Sequence, residues 1–171
     1  DAGVRDEEVL VGLQTMAMLK KERAWPAVKF AECANRLWRQ HGVRIVLFGS
    51  PQERESIEKQ ILPHLVAPYI LAAGETTILQ AGALLERLDV LVSNDTGPMH
   101  MAASLNVPVV ALFGRMTCIP DEARPYGDVH TVLIGQHTRD ISVNEVVAAV
   151  EKYVGSSTKR EKIVKGSDHA E

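Results

Sequence analysis

The sequence is poor in the residues that mark several classes of protein. Its 171 residues include two cysteines, Cys33 and Cys118, which form no CxxC pair. This density argues against a disulfide framework and is typical of a reducing, intracellular compartment. The six histidines stand in no metal-ligand spacing, so we expect no metal site. Aromatic residues make up only 5% of the chain, which argues against a platform that stacks nucleic-acid bases.

Charge and hydrophobic patterning exclude two further classes. Lysine and arginine number 19 against 22 aspartates and glutamates, so the chain lacks the basic field that duplex DNA binding usually needs. No apolar run approaches the ~18–20 residues of a membrane span. Apolar residues at 46% and charged residues at 24% are ordinary for a globular domain. We therefore expect one folded domain that binds no nucleic acid and spans no membrane.

Short apolar runs alternate with segments of helical period. The runs are nearly continuous, which is typical of strands buried on both faces of a parallel sheet. They occupy residues 9–13, 43–48, 69–72, 90–93 and 107–113, with a shorter sixth run at 129–134. Helices are predicted between and after them, at residues 26–40, 50–62, 77–87, 98–105 and 142–154. The alternation predicts an α/β fold, a Rossmann-like doubly wound parallel sheet.

We expect the Rossmann-like domain to occupy residues 1–154, and the residues after it differ in composition. Residues 155–171 are polar and charged and have no periodicity, so we expect a solvated tail. The alternative is a segment that docks on a partner domain. Three predicted helices open with capping boxes, at residues 50–53, 77–80 and 142–145.

The loop after the fourth predicted strand is the most informative. In open α/β sheets, ligands bind outside the carboxyl ends of the strands. Residues 94–100 read Asn-Asp-Thr-Gly-Pro-Met-His, and Pro98 suits the first helical position, which makes Gly97 the predicted N-cap. Backbone N–H groups at that helix end attract anions, and a glycine lets an anion approach closely. His100, at about N3, can donate to a phosphate.

Asp95 lies at the tip of the same strand. A carboxylate there would repel a phosphate, so Asp95 is expected to face hydroxyl groups, as of a sugar. The alternative is a tight strand-to-helix turn in which Asp95 or Thr96 only caps the helix. Local physics leaves the two interpretations open.

Residues 93–114 resemble the signature of glycosyltransferase family 9, the ADP-heptose:lipopolysaccharide heptosyltransferases. Three other stretches are similar to the family. Residues 11–15, followed by residues 23–26, resemble the family's first strand, its loop and its basic-x-Trp-Pro element. Residues 46–53 resemble its Gly…Glu loop, and residues 74–79 resemble the segment that leads into the signature strand. The resemblance covers about residues 9–154, nearly the whole chain.

This resemblance implies one half of a GT-B fold, in which two Rossmann-like domains face each other across the active-site cleft. The chain corresponds to the C-terminal, donor-binding half. The N-terminal half, with the acceptor site and the catalytic base, has no counterpart here, so we expect no catalytic residue in this chain and no transfer by the chain alone. Together with the start at Asp1, this predicts a piece of a longer protein.

The full enzyme is expected to transfer heptose, with inversion, from ADP-heptose to a lipopolysaccharide core acceptor. The resemblance implies a metal-independent reaction with no cofactor beyond the nucleotide-sugar donor. It also implies a cytoplasmic protein, with peripheral association on the cytoplasmic face of the inner membrane as the alternative.

The resemblance assigns roles position by position. Thr96, Gly97 and His100 would hold the diphosphate of ADP-heptose, and Asp95 would bind heptose hydroxyls. Arg23 stands where the family usually has a lysine before Trp-Pro, and it would neutralise phosphate charge as ADP leaves. Arginine keeps that charge but differs from lysine in donor geometry.

The nucleotide is assigned to two other loops. Glu53 would bind the ribose hydroxyls, although its place as the N3 member of a capping box gives it a purely structural alternative. Residues 76–79, with Thr77 and Leu79, would contact the adenine region.

Two departures from the family pattern leave the sugar and the nucleotide open. Met16 begins a stretch where the family usually has Gly-Ala, and Arg115 follows Gly114 where the family has Pro or Ser before Thr. A stand-alone nucleotide- or sugar-binding module is therefore the alternative function. An NAD-dependent dehydrogenase is disfavoured, because no GxGxxG follows the first strand.

Overall fold

The computed structural model describes residue 5 and residues 7–15, 24–116 and 123–154. Three features of the sequence lie outside these described residues: Arg23, the departure at Met16 and the predicted tail at 155–171. What the sequence predicts for them stays a prediction.

Strands and helices alternate through the described residues much as the apolar pattern predicts. The strands are Leu10–Gln14 (β1), Arg44–Phe48 (β2), Tyr69–Leu71 (β3), Val90–Asn94 (β4), Val109–Gly114 (β5) and Thr131–Gly135 (β6). The helices are Ala27–His41 (α1), Pro51–Gln60 (α2), Ile78–Glu86 (α3), Gly97–Ser104 (α4) and Val143–Val154 (α5). Short 3-10 turns occupy Leu62–His64 and Thr138–Asp140.

The six strands form one parallel sheet in the order β3-β2-β1-β4-β5-β6. This is the order of a Rossmann fold, so the predicted fold class is confirmed. β1 pairs with both β2 and β4, and the chain reverses its direction of travel across the sheet between them. The carboxyl ends of β1 and β4 therefore border a crevice between loops that leave in opposite directions.

The core has two layers, one on each face of the sheet. One face packs against α1, α2 and α5, and the other against α3 and α4. Alternate residues of each central strand enter opposite layers, which explains why the strands read as continuous apolar runs. Burial of Cys33 in the first layer raises the pKa of its thiol to about 12, so this cysteine is a protonated packing residue.

Two predicted capping boxes determine where their helices begin. Thr77 Oγ1 accepts from the Gln80 N–H at 3.3 Å, and the Gln80 side chain accepts from the Thr77 N–H at 2.9 Å. At α5, the N–H and hydroxyl of Ser142 both donate to Glu145 Oε2, which holds the pKa of that carboxyl below its usual range. Both boxes confirm the sequence prediction.

The ends of β5 and β6 approach the turn at Thr138–Asp140 so closely that only glycine fits. A Cβ added at Gly114 would lie 2.7 Å from the backbone nitrogen of Thr138. One added at Gly135 would lie 2.5 Å from the carbonyl oxygen of His137. Because both neighbours are backbone atoms, a side chain at either position must displace the turn.

We expect Gly135→Ala to lower the free energy of unfolding by ~1–3 kcal/mol, the usual cost of overpacking. Urea denaturation measures it. Gly82→Ala is the matched control: its Cβ would meet only Met101 Sδ at 3.9 Å, within a helix where alanine is favoured over glycine. A Gly135→Ala chain at least as stable as the Gly82→Ala chain would contradict the close approach.

Candidate functional site

A pocket of about 720 Å³ opens at the carboxyl edge of the sheet. It lies between the first turns of α2, α3 and α4, beside the ends of β1 and β2. Three helix N-termini therefore border one cavity, and each contributes partial positive charge. The lining residues are Gln14, Phe48, Gly49, Ser50, Pro51, Glu53, Thr76, Thr77, Ile78, Ala81, Leu85, Asp95, Thr96, Gly97, Pro98 and Met101.

Helix α4 begins one residue earlier than the position of the proline suggests. Thr96 has extended backbone angles, φ −149° and ψ 164°, and is the N-cap, so Gly97 is N1 and Pro98 is N2. The prediction of Gly97 as N-cap is thus wrong by one residue, because proline needs no N–H at either N1 or N2. His100 consequently stands at N4 and is exposed.

The Thr96 hydroxyl does not cap α4. It lies 3.3 Å from Ser93 Oγ and 3.4 Å from the carbonyl oxygen of Asn94, on the strand side of the turn. The predicted alternative in which Thr96 merely caps the helix therefore does not apply. In the first turn of α4, Pro98 has no N–H and the Met99 N–H donates to the Thr96 carbonyl at 3.1 Å, so Gly97 at N1 is the position whose N–H the turn presents beside the pocket.

Gly97 has open space above it. Apart from its chain neighbours and its own helix backbone, no atom of the described residues would lie within 4 Å of a Cβ at this position, and the φ of Gly97 lies outside the left-handed region. Neither packing nor backbone conformation requires glycine here, in contrast to Gly114. Close approach of a ligand to the backbone is the remaining physical reason for glycine at a helix N-terminus that borders a pocket.

Glu53 combines a structural position with a place in the pocket wall. Its side chain is buried, and its Oε2 accepts from the Ser50 N–H at 2.8 Å. The capping interpretation is therefore confirmed. Because Glu53 also lines the pocket, its predicted contact with ribose hydroxyls stays a compatible prediction.

The first turn of α3 forms the opposite wall. Thr76, Thr77 and Ile78 line the pocket, and Ile78 is nevertheless 76% exposed because the pocket is open on this side. Leu79 is 86% exposed and does not line it. Adjacent helical residues point about 100° apart, so one turn cannot present all of them to one cavity.

The structure brings together five of the eight residues that the sequence singles out: Glu53, Thr77, Asp95, Thr96 and Gly97. Leu79 and His100 lie outside the lining, and Arg23 lies outside the described residues. The roles of all eight stay predictions.

The sequence does not single out several of the lining residues, among them Gln14, Phe48 and Met101. Gln14 ends β1 and is 2% exposed, and a polar residue closing an apolar run was the signal available for it. Phe48 ends β2 in the same way. Met101 lies four residues after Gly97 on α4, so helical spacing places it on the same face.

Asn94 connects the site to the neighbouring strand. It is fully buried at the end of β4, and its Nδ2 donates to the Thr15 carbonyl at 3.0 Å. Its Oδ1 accepts from the Trp25 N–H at 2.9 Å. One side chain thus holds both described ends of the β1–α1 connection beside the residues that precede α4.

Neither a metal-binding cluster nor a membrane-spanning helix occurs among the described residues. These residues contain no group of three or more His, Cys, Asp or Glu side chains placed to hold a metal ion. Within the same ranges, no helix combines the length and apolar character needed to cross a bilayer.

Comparison with known proteins gives consistent matches. Residues 4–152 match the sequence model of glycosyltransferase family 9 (heptosyltransferase). The chain is 36% identical over 129 residues to lipopolysaccharide heptosyltransferase 2 of Salmonella typhimurium, covering 73% of this chain and 36% of the relative.

Two crystal structures share the fold over most of the chain. A family 9 glycosyl transferase from Veillonella parvula superposes with a TM-score of 0.82 at 28% identity, over 91% of this chain and 49% of that one. The E. coli ADP-heptose lps heptosyltransferase II gives a TM-score of 0.77 at 28% identity, over 89% and 48%. The chain therefore spans about half of each solved structure.

Proposed function

The chain belongs to glycosyltransferase family 9, the heptosyltransferases, and on that premise we propose that it is the donor-binding half of a GT-B heptosyltransferase. Its relatives are about twice as long as this chain, which supports a second domain in the parent enzyme. That enzyme would transfer heptose, with inversion, from ADP-heptose to a lipopolysaccharide core acceptor at the cytoplasmic face of the inner membrane. The donor is named by the E. coli structure that this chain resembles.

The open space over Gly97 carries the proposal. A diphosphate placed there would meet the Gly97 N–H at the beginning of α4, and the helix dipole favours its charge. Thr96 borders the same space, and His100 stands one turn further along the helix. Arg23 would add a positive charge from the β1–α1 connection.

The rest of the pocket suits a nucleoside and a sugar. Phe48, Ile78 and Met101 provide apolar surface for a base, while Glu53 supplies a carboxylate for ribose hydroxyls. Asp95 follows β4 and lines the same pocket, and its carboxylate would accept from heptose hydroxyls, because a carboxylate repels phosphate.

The chemical contribution of this half would be to stabilise the leaving group. As the glycosidic bond to the diphosphate breaks, negative charge grows on ADP, and preoriented N–H donors and cations stabilise it without a metal. The second domain would supply the base that removes the proton of the acceptor, and it would also orient that acceptor. This chain alone should bind donor without transferring heptose.

Calorimetry with ADP tests the proposal. The folded chain is expected to bind ADP, and the absence of detectable binding at millimolar ADP would overturn the donor-site assignment. Transfer of heptose by the purified chain alone would overturn the assignment of donor binding to this half and of the catalytic base to the second domain.

Asp95→Ala should weaken ADP-heptose by about 10-fold and ADP much less, because a charged hydrogen bond contributes ~1.5–3 kcal/mol and only the sugar is contacted. Calorimetry with both ligands measures the difference. Asp128→Ala, an exposed change outside the pocket lining, is the control. Equal losses for the two ligands would refute the sugar-hydroxyl role of Asp95.

A further inference from the structure

The loop between β3 and α3, residues 72–77, rests directly on the beginning of α2. The N–H groups of Ala72 and Ala73 both donate to the Leu47 carbonyl. Gly74 donates to Gly49 at 3.1 Å and has φ +75°, and a Cβ there would lie 3.1 Å from Pro51 Cα. The loop thus reaches α2 by a turn that only glycine makes without strain.

Arg54 holds this loop in place through hydrogen bonds, and it is not one of the residues that line the pocket. Its Nη1 donates to the Ala73 carbonyl at 2.9 Å and to Glu75 Oε1 at 2.6 Å. Its Nε donates to Glu58 Oε1 at 2.9 Å, which fixes the guanidinium along α2. A planar guanidinium makes these contacts in one orientation, and a lysine ammonium cannot reproduce all of them.

The two elements joined by Arg54 are two walls of the pocket. Pro51 and Glu53 line it from α2, and Thr76, Thr77 and Ile78 line it from the end of the loop and from α3. Arg54 itself does not line it. The distance between the two walls therefore depends on a contact made outside the cavity.

We propose that Arg54 is a positioning residue that fixes the gap between α2 and α3 and thereby prepares the pocket for the base of the bound nucleotide. The inference rests on the proposed function. A pocket whose wall is already ordered binds its ligand without a further cost of ordering the loop. Because the hydrogen bonds of Arg54 join α2 to the loop before α3, it should affect the base and ribose end of the ligand and not the diphosphate.

The test compares two ligands across three variants. Arg54→Ala is expected to weaken ADP about 5- to 10-fold while inorganic pyrophosphate, which lacks the base, binds unchanged. Arg54→Lys should recover only part of the ADP affinity. Lys59→Ala, which removes an exposed ion pair on the same helix and leaves the loop untouched, should change neither ligand. Calorimetry gives the affinities, and urea denaturation checks that Arg54→Ala is about as stable as the control, as expected for partly exposed ion pairs.

Unchanged ADP affinity in Arg54→Ala would overturn the inference alone, since the unaltered chain would still bind ADP. Equal losses for ADP and pyrophosphate would also overturn it, because the effect would then not be confined to the base end. Failure of the unaltered chain to bind ADP would instead overturn the proposed function, and the inference with it.

Discussion

Asn94→Ala should lower the free energy of unfolding by ~2–5 kcal/mol, because it leaves two buried backbone groups without a partner. Asn94 is fully buried, and its amide joins the carbonyl of Thr15 to the N–H of Trp25. Neither group gains water when the side chain is removed, since the contact lies beneath the carboxyl edge of the sheet. Each orphaned group contributes ~1–3 kcal/mol to the loss.

Urea denaturation of three variants measures the effect. Asn94→Asp keeps an oxygen for the Trp25 N–H but sets a second oxygen against the Thr15 carbonyl, so a loss of similar size is expected. Asn144→Ala is the control, because Asn144 is exposed and accepts one bond from Arg36 on the surface. Its loss should stay within ~0.5 kcal/mol.

Asp has almost the shape of Asn, so the pair of Asn94 variants separates hydrogen bonding from packing. If Asn94→Asp were as stable as the unaltered chain, the bond from Nδ2 to the Thr15 carbonyl would contribute nothing, and the connection described between β4 and β1 would be wrong. If only Asn94→Ala were destabilised, the loss would come from the cavity left by the side chain and from the acceptor of the Trp25 N–H, both of which Asn94→Asp leaves unaltered.

The sheet could be predicted from the sequence because each strand is buried on both faces. Val11 and Leu13 enter one layer while Leu10 enters the other, so the whole run must be apolar. The first residues of a helix could be predicted where side chains hydrogen-bond its free backbone N–H groups, as in the capping boxes at Thr77 and Ser142. The beginning of α4 was less so, because Thr-Gly-Pro permits either Thr96 or Gly97 as the N-cap.

The site could be predicted only in part, because it depends on strand order. The hydrogen bonds of Asn94 cross 69 and 79 positions of sequence, and they exist because β1 lies beside β4. The residues next to Gln14 and Phe48 in the sequence do not indicate that the ends of β1 and β2 lie beside the same cavity as α3 and α4. Family resemblance identified Asp95 to Gly97, whereas the apolar lining required the fold.

Gly97→Val should weaken ADP by about 10- to 100-fold without destabilising the chain. The added methyl groups would enter the space above the first turn of α4, where no atom of the described residues outside that helix and the chain neighbours of Gly97 lies within 4 Å of the Cβ. They would hold a phosphate away from the N–H at the beginning of α4. A hydrogen bond from an N–H to a charged phosphate contributes ~1.5–3 kcal/mol, and losing it corresponds to the expected change in affinity.

Gly97→Ala and Gly82→Ala form the matched pair that isolates this effect. Both add one methyl group to a helical glycine with room for it, and both should stabilise their helix by ~0.5–1 kcal/mol. Only Gly97→Ala should weaken ADP, by less than Gly97→Val, because affinity should fall as the side chain grows. Calorimetry gives the affinities and urea denaturation the stabilities.

The opposite pattern would be equally informative. If Gly97→Val bound ADP as the unaltered chain does, the open space over Gly97 would not be the phosphate position, and the donor site would have to lie elsewhere along the carboxyl edge. If Gly97→Val lost both stability and affinity, glycine would be required by the fold. A loss of affinity with stability retained is what a ligand approaching the backbone predicts, since only the bound state then meets the added side chain.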